Sequence, residues 1–313
     1  MRAMLLVNPK ATTTNSRTRD VLIRALGAAV DLTVEETGYR GHAAALAGKA
    51  TAKGFDAVAV LGGDGTVNET VNGLLNTPAT NATERPALIV IPGGSANVFA
   101  RALGLPNDPV EATGAVLEAL REDRRRVVSL GHAQWDDEGR YFTFCSGMGY
   151  DAEVIRAVEG LRGSGRKATP ARYVNTALRH YVATDKRHPA MTLTGPGIPT
   201  AHGIFMAIIS NTSPWTYVGT HPVTPTPWAS FDTGLDLLGL QRLGLPTMLP
   251  LIRKILTESD RLPSGRHLVQ LHDEAEFTLT AERPVAFQLD GDYLGERESI
   301  TFRATPNALQ VLV

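Results

Sequence analysis

Residues 56–75 have the sequence DAVAVLGGDGTVNETVNGLL, and the prediction of the fold depends mainly on this stretch. Residues 57–61 form a short apolar run rich in valine, which is typical of a strand buried on both faces. Residues 62–65 contain three glycines, which adopt backbone angles that other residues avoid and let another molecule approach closely. Thr66, with Glu69 three residues later, has the spacing of a helix capping box. The stretch therefore predicts a strand, a glycine-rich turn and a helix.

A glycine-rich turn at the start of a helix is a favourable place for phosphate. Backbone N–H groups and the positive end of the helix dipole point toward the same spot. A carboxylate in this turn, Asp64, repels a bare phosphate, so we expect it to act with a cation or a protonated partner. The spacing matches neither GxxxxGK[ST] nor GxGxxG. A tight turn whose glycines serve packing alone is the alternative.

Composition limits the class of protein. A chain of 313 residues predicts two domains. The net charge of −1 argues against nucleic acid as a partner. The single cysteine, Cys145, excludes an internal disulfide and fits a reducing compartment. No apolar stretch approaches the roughly 20 residues that a membrane span needs. We therefore expect a soluble, cytoplasmic protein.

Strands and helices alternate through residues 1–128, which predicts a doubly wound parallel sheet. A second glycine-rich segment, PGGSANVFARALGLP at 92–106, follows another buried strand, with Ser95 or Asn97 near a helix start. Ligands of such sheets bind beyond the carboxyl ends of the strands. We therefore expect Asn8, residues 62–66 and residues 93–97 to lie at one edge of the sheet.

The pattern changes after residue 128. Short strand-like runs separated by turn residues occupy most of residues 129–303, which predicts an antiparallel sandwich or barrel. Helices are predicted to interrupt it at 151–161, 171–183 and 247–258. The chain is thus predicted to contain an α/β domain followed by a β domain.

Two groups of acids in the second half are candidates for chemistry. Asp232 and Asp236 flank a glycine turn and present oxygens that suit a hard cation, although an Asx turn explains them equally well. Asp151 lies at a strand-to-helix junction, where the role of a helix N-cap is sufficient.

Asp290 and Asp292 lie on either side of Gly291, directly after a predicted strand. Residues two apart on an extended chain point the same way, so both carboxylates are predicted to face one site. A plain Asp-Gly turn is the alternative.

Taken together, these motifs resemble the diacylglycerol kinase and sphingosine kinase superfamily, specifically its soluble bacterial lipid kinases. LGGDGTVNETVNGL, IPGGSANVFARALGLP, SGMGYDAEV, FDTGLDLLG and LDGD occur in that order over nearly the whole chain. GGDGT alone is shared with NAD kinases and, more loosely, with phosphofructokinases. The later motifs make the resemblance more specific.

The resemblance implies a fold and an activity. The fold is an N-terminal Rossmann-like domain that binds ATP and a C-terminal β-sandwich that helps to bind lipid, with a last strand at about 304–313 returning to the first domain. The activity is ATP- and Mg²⁺-dependent transfer of a phosphoryl group to a lipid hydroxyl, with diacylglycerol as substrate and phosphatidic acid as product. Transient contact with the inner face of the membrane is expected, and a homodimer is left open. The alternatives are an NAD kinase and a catalytically weak regulator that binds nucleotide or lipid.

The resemblance also implies roles for individual residues. Asp292 is the proton acceptor, with Asp290 beside it and Asp64 as a further catalytic acid. A structural Mg²⁺ is assigned to Asp232, Leu235 and Asp236, and Asp151 joins Asp64 in an acidic network that links the metal to the site. The nucleotide-binding positions are Asn8, Thr37, Gly62, Gly63, Asp64, Gly65, Thr66, Asn68, Glu69, Gly94, Ser95 and Asn97.

The sequence departs from the family pattern at three places. Asp292 stands where the family usually has Glu, and is one methylene shorter. Val98 stands where many relatives have Asp. The family's NPxxG start is replaced by NPKATTT at residues 8–14.

Two further stretches are candidates for membrane contact. One is a basic segment at 161–181. The other is a helix at 248–256 that places leucine and isoleucine on one face and Arg253 and Lys254 opposite them. Core packing explains either stretch better than membrane contact does, so membrane contact is expected from the class of substrate and not from these stretches.

Overall fold

Residues 56–75 form the predicted unit in the computed structural model, which describes residues 1–11, 16–77, 81–163, 190–257 and 261–313. Strand β3 (Ala57–Gly62) is buried along its whole length and is followed by helix α3 (Asp64–Leu75). The predicted helix at 171–183 and most of the basic segment at 161–181 lie outside the described residues.

The chain divides into two compact units. Unit 1 comprises Met1–Leu130 and Pro306–Val313, and unit 2 comprises Gly131–Thr305. The predicted domain boundary after residue 128 lies two residues before the end of the first segment of unit 1, at Leu130. The predicted return at residue 304 lies two residues before the second segment, which begins at Pro306.

Unit 1 is built on a parallel sheet. Strands β1 (Arg2–Val7), β2 (Asp31–Glu36), β3 and β4 (Ala87–Pro92) are arranged in the order β2-β1-β3-β4. The end of strand β16 (Asp292–Leu312) pairs in parallel with β4, with Val311 opposite Leu88. The remaining elements are α1 (Ser16–Ala29), α2 (His42–Ala52), a 3₁₀ turn at Ala82–Glu84, α4 (Val98–Ala102) and α5 (Pro109–Glu122).

Helices cover both faces of this sheet. Alternate residues of β1, β3 and β4 share one core with α1 and α5, to which Leu22, Leu26, Val116 and Ala119 contribute. Helices α2 and α3 pack against each other and contact β1 and β3 respectively. Burial on both faces explains why the strands have continuous apolar runs. The predicted doubly wound sheet is confirmed.

Gly73 lies where α3 packs against α2. A Cβ added there would overlap the carbonyl oxygen of Ala44 and lie 2.7 Å from its Cα. We expect Gly73→Ala to lower the free energy of unfolding by about 2–3 kcal/mol, because the two helices must move apart. Denaturant unfolding measures the change.

A second glycine provides the matched control for Gly73. Gly114 lies inside α5, and no atom lies within 4 Å of the position of its added Cβ. Gly114→Ala is therefore expected to raise the free energy of unfolding by about 0.5–1 kcal/mol. Equal stability of the two variants would contradict the described packing of α2 on α3.

Unit 2 consists mainly of antiparallel strands. Its strands include the last five residues of β5 (Arg125–Trp135), β6 (Glu138–Phe142), β7 (Cys145–Gly149), β8 (Met191–Gly195), β9 (Ile198–Ile204), β10 (Met206–Ser210), β11 (Thr216–Val218), β12 (His221–Val223), β13 (Leu235–Leu240), β14 (Leu268–Glu274), β15 (Glu276–Leu289) and most of β16. Among the described residues of this unit, the helices α6 (Tyr150–Gly163) and α7 (Leu245–Ile255) accompany the strands.

The core of unit 2 is built around aromatic side chains. Phe142, Phe277 and Phe287 each lie within 6.5 Å of the ring of Phe302, measured between ring centroids, and all four side chains are buried. The strands pair in the order β14-β13-β10-β7-β15-β16. The predicted class, a parallel α/β unit combined with an antiparallel β unit, is confirmed. Strand β14 and the β11–β12 hairpin were not predicted.

Candidate functional site

The glycine-rich turn after β3 starts α3 earlier than predicted. Gly63 is the N-cap in an extended conformation, with φ −89° and ψ 179°, and no side chain caps the helix. The carbonyl of Gly63 accepts hydrogen bonds from the N–H groups of Thr66 and Val67. Thr66 is therefore the third residue of the helix, and the prediction that it is the N-cap is wrong.

The side chains of Thr66 and Glu69 bind neighbouring segments. Thr66 Oγ1 accepts a hydrogen bond from Asn8 Nδ2 at 2.9 Å. Glu69 Oε1 accepts from the backbone N–H of Gly41 at 2.8 Å, and its Oε2 accepts from that of Ala43 at 3.3 Å. Glu69 therefore satisfies the start of α2, which has no side-chain cap at its own N-cap residue. The predicted capping box is wrong because the helix next to α3 offers these donors.

The two glycine-rich loops contact each other through their backbones. The N–H of Gly93 donates to the carbonyl of Gly62 at 2.8 Å. A Cβ added at Gly94 would lie 2.7 Å from Gly63 Cα, and one added at Gly63 would lie 3.2 Å from Gly94 Cα. Backbones this close leave no room for a Cβ at Gly94 and little room for one at Gly63. The glycines are therefore required for the approach of the two loops.

Polar side chains hold the second loop in place. Asn97, in the left-handed conformation with φ 48°, accepts from the N–H of Gly94 at 2.8 Å and donates to Gly94 O at 2.9 Å and to Asn107 Oδ1 at 2.8 Å. Asp64 Oδ1 accepts from the N–H of Phe99 at 3.2 Å. Ser95, between them in sequence, is exposed. Asp64 and Asn97 therefore position the loop that carries Ser95.

The predicted nucleotide-binding segments lie at one edge of the sheet, as expected. Asn8 donates its N–H to Leu61 O at 3.0 Å, and Thr37 donates its N–H to Val7 O at 2.9 Å. These residues and the two glycine loops follow the carboxyl ends of β1 to β4. Asn68, by contrast, is buried within α3, where its side-chain oxygen accepts from Asn72 Nδ2 at 3.2 Å. Nucleotide binding by these residues stays a prediction.

Asp290 and Gly291 form the turn between β15 and β16. Their φ angles are 47° and 80°, as the central residues of a type I′ hairpin turn require. The carboxylate of Asp290 accepts from Thr143 N at 2.7 Å, Thr143 Oγ1 at 2.8 Å, Phe144 N at 3.0 Å and Cys145 N at 3.1 Å. Burial raises the pKa of Asp290, and these hydrogen bonds oppose the rise. Asp290 therefore anchors the connection between β6 and β7.

Asp292 has a different environment. It is the first residue of β16, its side chain is 27% exposed, and its Oδ2 lies 3.8 Å from Arg140 Nη2. The prediction that Asp290 and Asp292 point the same way assumed an extended chain. Asp290 and Gly291 form a turn instead, so that assumption is wrong. Asp292 is the carboxylate of the pair that solvent can reach.

Asp151 and Gln288 form a buried pair that the sequence analysis missed in part. Asp151 lies inside the first turn of α6 and is 5% exposed, so the alternative of an N-cap is wrong. Gln288 Nε2 donates to Asp151 Oδ2 at 2.9 Å, and Gln288 Oε1 accepts from the N–H of Gly291 at 3.0 Å. A Cβ added at Gly147 would overlap the carboxylate of Asp151. The sequence could have indicated Gln288, because it is the one polar residue in the apolar run VAFQL at 285–289.

The carboxyl group of Asp151 makes stability depend on pH. Burial raises its pKa from 3.8 to about 7, against the opposing hydrogen bond from Gln288. The folded state holds this proton more tightly than the unfolded chain, so the stability that the group contributes is present below about pH 4 and lost as pH rises through about 7. From pH 5 to pH 8 the loss amounts to roughly 2–3 kcal/mol.

Asp151→Asn isolates this contribution, because its amide oxygen still accepts from Gln288 and cannot ionise. We expect the difference in free energy of unfolding, variant minus wild type, to grow by that amount between pH 5 and pH 8. Urea unfolding in buffer with EDTA measures it. A difference that is independent of pH would show that the carboxyl group has an ordinary pKa.

The residues predicted to hold Mg²⁺ fit a cation only in part. Asp236 is buried; its Oδ1 bonds to His272 Nδ1 at 2.8 Å and accepts from Asp273 N at 3.1 Å. Its Oδ2 is buried and has no hydrogen-bond partner among the described residues, so it is available to a cation. Burial raises the pKa of Asp236, and the bonds from Asp273 and His272 oppose this. Within the described ranges, no three His, Cys, Asp or Glu side chains are grouped to hold a metal.

Comparison with known proteins finds similarity to lipid kinases. Residues 2–133 match the diacylglycerol kinase catalytic domain family. A protein of Chromohalobacter salexigens named "Probable lipid kinase YegS-like" is 38% identical over 139 residues, which are 44% of this chain and 41% of that protein. The diacylglycerol kinase of Bacillus subtilis is 38% identical over 130 residues, 38% of this chain and 39% of that enzyme. The match therefore spans about two fifths of these relatives.

Solved structures share the fold over a longer range. The crystal structure of a diacylglycerol kinase from Bacillus anthracis covers 99% of this chain and 96% of its own, with a TM-score of 0.72 at 20% identity. An NAD kinase from Archaeoglobus fulgidus, in complex with ATP, covers 100% of this chain and 94% of its own, with a TM-score of 0.54 at 12% identity. These likenesses concern the fold. The family match thus covers residues 2–133, and the shared fold extends over nearly the whole chain.

Proposed function

We propose that this protein is an ATP-dependent lipid kinase that phosphorylates the hydroxyl group of diacylglycerol and yields phosphatidic acid. The observation that carries the proposal is the backbone contact between residues 62–63 and 93–94 at the start of α3. Relatives named diacylglycerol kinase match this chain over the family domain that contains both loops. As a lipid kinase, the protein is expected in the cytoplasm, at the inner face of the membrane.

The first glycine loop suits the phosphates of ATP. The start of a helix directs backbone N–H groups and the positive end of the helix dipole at one spot, and here that start lies in a segment where glycines keep side chains out of the way. We assign Gly62–Thr66, with Asn8, Thr37 and Ser95, to nucleotide binding. Asn68, Glu69 and Asn97 would act indirectly, since their side chains bond to neighbouring protein groups. ATP supplies the phosphoryl group when bound, and Mg²⁺ neutralises phosphate charge.

Asp292 is the proposed general base. Its carboxylate is exposed enough to reach a hydroxyl group, and Arg140 lies beside it. It would accept the proton of the lipid hydroxyl as that oxygen becomes bonded to phosphorus. Asp290 would support this role by fixing the turn, and Asp151 would do so through Gln288 and the N–H of Gly291. Asp232, the carbonyl of Leu235 and Asp236 would hold a structural Mg²⁺ away from the proton transfer.

NAD kinase is the second candidate, favoured by the fold that the chain shares with the Archaeoglobus fulgidus enzyme. The third is a regulator with weak catalysis. Val98 supports the third candidate, because it places a buried valine where many related kinases have an acid.

One experiment separates the three candidates. Purified protein is incubated with labelled ATP, Mg²⁺ and either diacylglycerol in mixed micelles or NAD, and products are identified by mass. Labelled phosphatidic acid is the expected product. Labelled NADP would establish the second candidate, and no transfer despite ATP binding would establish the third.

A further inference from the structure

Helix α7 has two apolar faces. On the inner face, Leu251 is 4% exposed, and Met248 and Ile255 pack with it against a core cluster that includes Tyr150 and Met206. These positions are three and four residues apart, which places them on one side of the helix. Core packing therefore accounts for this face completely.

The second face of α7 is exposed. Leu245, Leu249 and Ile252, with Leu256 just after the helix, are 54%, 61%, 40% and 40% exposed, and we call these four residues the outer stripe. Their spacing of four, three and four residues aligns them along one side of the helix. No other leucine or isoleucine in the described parts of the chain is exposed to this degree. Isolated exposed apolar residues need no explanation, but an aligned set indicates an interaction surface.

The β11–β12 hairpin lies beside the end of α7. It is attached to the end of α7, because the N–H of Thr224 donates to Ile255 O at 3.0 Å and His221 Nε2 bonds to Leu256 O. Val218, at the tip of the hairpin, is 47% exposed. Residues 215–224 contain no acidic residue.

The sequence around α7 has an excess of positive charge, with five Arg and Lys residues against two acids between 241 and 268. Within 241–257 and 261–268 there is no Asp or Glu, and the Arg and Lys residues are Arg242, Arg253, Lys254, Arg261 and Arg266. Glu258 and Asp260 fall between these ranges, outside the described residues. Arg242, Lys254 and Arg266 line a cavity of about 350 Å³ beside α7. Lys254 Nζ donates to Ser264 O at 2.6 Å, which fixes one of these cations beside the helix.

We propose that α7 is the element with which this protein docks on an anionic lipid bilayer, with the outer stripe entering the boundary between headgroups and acyl chains. A row of apolar residues in a stretch with an excess of cations matches that surface in both polarity and charge. No helix among the described residues is long and apolar enough to cross a membrane, so contact through one side of a helix is the relevant mode. A second copy of the chain fits this face less well, because two positive surfaces repel each other.

The biological reason for docking depends on the proposed function, because a lipid kinase must reach a substrate that resides in a bilayer. Its physical basis is independent, since binding to vesicles requires neither ATP nor catalysis. The two ideas can therefore fail separately.

Vesicle flotation tests the docking surface. Wild-type protein is expected to bind vesicles of phosphatidylglycerol and phosphatidylcholine in equal parts, and to bind pure phosphatidylcholine vesicles at least about fivefold more weakly. Leu249→Gln with Ile252→Gln is expected to weaken binding to the mixed vesicles roughly tenfold or more, because the apolar contact is lost. Arg242→Gln with Arg253→Gln is expected to weaken binding to mixed vesicles severalfold while leaving phosphatidylcholine binding unchanged.

Two controls make the result specific. Val21→Gln alters an apolar residue of α1 that is 53% exposed, and this variant should bind vesicles as the wild type does. Transfer of phosphate to a short-chain, water-soluble diacylglycerol should be equal in all variants, which reports folding and chemistry apart from docking. If the short-chain substrate is not phosphorylated by any protein, the proposed function fails while the docking result stands.

The contrary results are equally defined. Unchanged binding of the Leu249→Gln, Ile252→Gln variant to mixed vesicles would overturn the proposal. So would a shift of that variant from dimer to monomer in sedimentation with vesicle binding intact, because the outer stripe would then be a contact between copies of the chain.

Discussion

Asp292→Asn is expected to lower turnover with diacylglycerol by about 10²–10⁴-fold, because an amide cannot accept the proton of the hydroxyl group. Nucleotide affinity and melting temperature should change little, since the side chain is partly exposed at the start of β16. Steady-state kinetics with saturating ATP measure the loss. Glu298→Gln is the matched control, because Glu298 is an exposed acid on the same strand.

The neighbouring acid should behave in the opposite way. Asp290→Asn places an amide N–H₂ group against donors from Thr143, Phe144 and Cys145, so hydrogen bonds to its carboxylate are lost inside the protein. We expect a free energy of unfolding lower by about 2–4 kcal/mol, with any fall in turnover following the fraction that unfolds. A folded Asp290→Asn protein without activity, beside an active Asp292→Asn protein, would reverse the two roles.

Gly94→Ala is expected to weaken ATP binding at least tenfold. Its Cβ would lie 2.7 Å from Gly63 Cα, and backbone cannot move aside as a flexible side chain can. The two loops must separate, which misplaces the N–H groups at the start of α3 relative to the phosphates. Calorimetric titration with a non-hydrolysable ATP analogue and Mg²⁺ measures the affinity.

Gly114→Ala serves again as the control for Gly94→Ala, since it adds the same methyl group where space is open. Wild-type affinity in Gly94→Ala would mean that the contact between the two glycine loops is not needed for the nucleotide. The proposed function would then lose the observation on which it rests.

The errors in the predicted site have a common cause. Thr66 and Glu69 satisfy the local pattern of a capping box, yet Glu69 bonds to Gly41 and Ala43. Asp290 and Asp292 satisfy the alternation of a strand, yet Asp290 occupies a turn and bonds to residues 143–145. In both cases the decisive partners are more than 25 positions away in sequence. A polar side chain forms hydrogen bonds with the donors and acceptors that the fold brings near it. Sequence spacing does not show which groups these are.

Helix α7 shows the same limit for apolar residues. Leu251 and Ile252 are adjacent and similar in hydrophobicity, so the sequence cannot tell which of them packs inside. The structure buries Leu251 and leaves Ile252 40% exposed. Packing against the cluster around Tyr150 makes this choice.

The sequence by itself determined the parallel α/β unit, the antiparallel unit after it, and the edge of the sheet where the glycine loops lie. Apolar periodicity and glycine positions are local properties, and they specify local elements. Only the tertiary structure decided which acids are buried and bonded, that Gln288 links Asp151 to the turn before Asp292, and which face of α7 stays exposed. Burial and hydrogen-bond partners arise from contacts between distant segments, which exist only once the chain has folded.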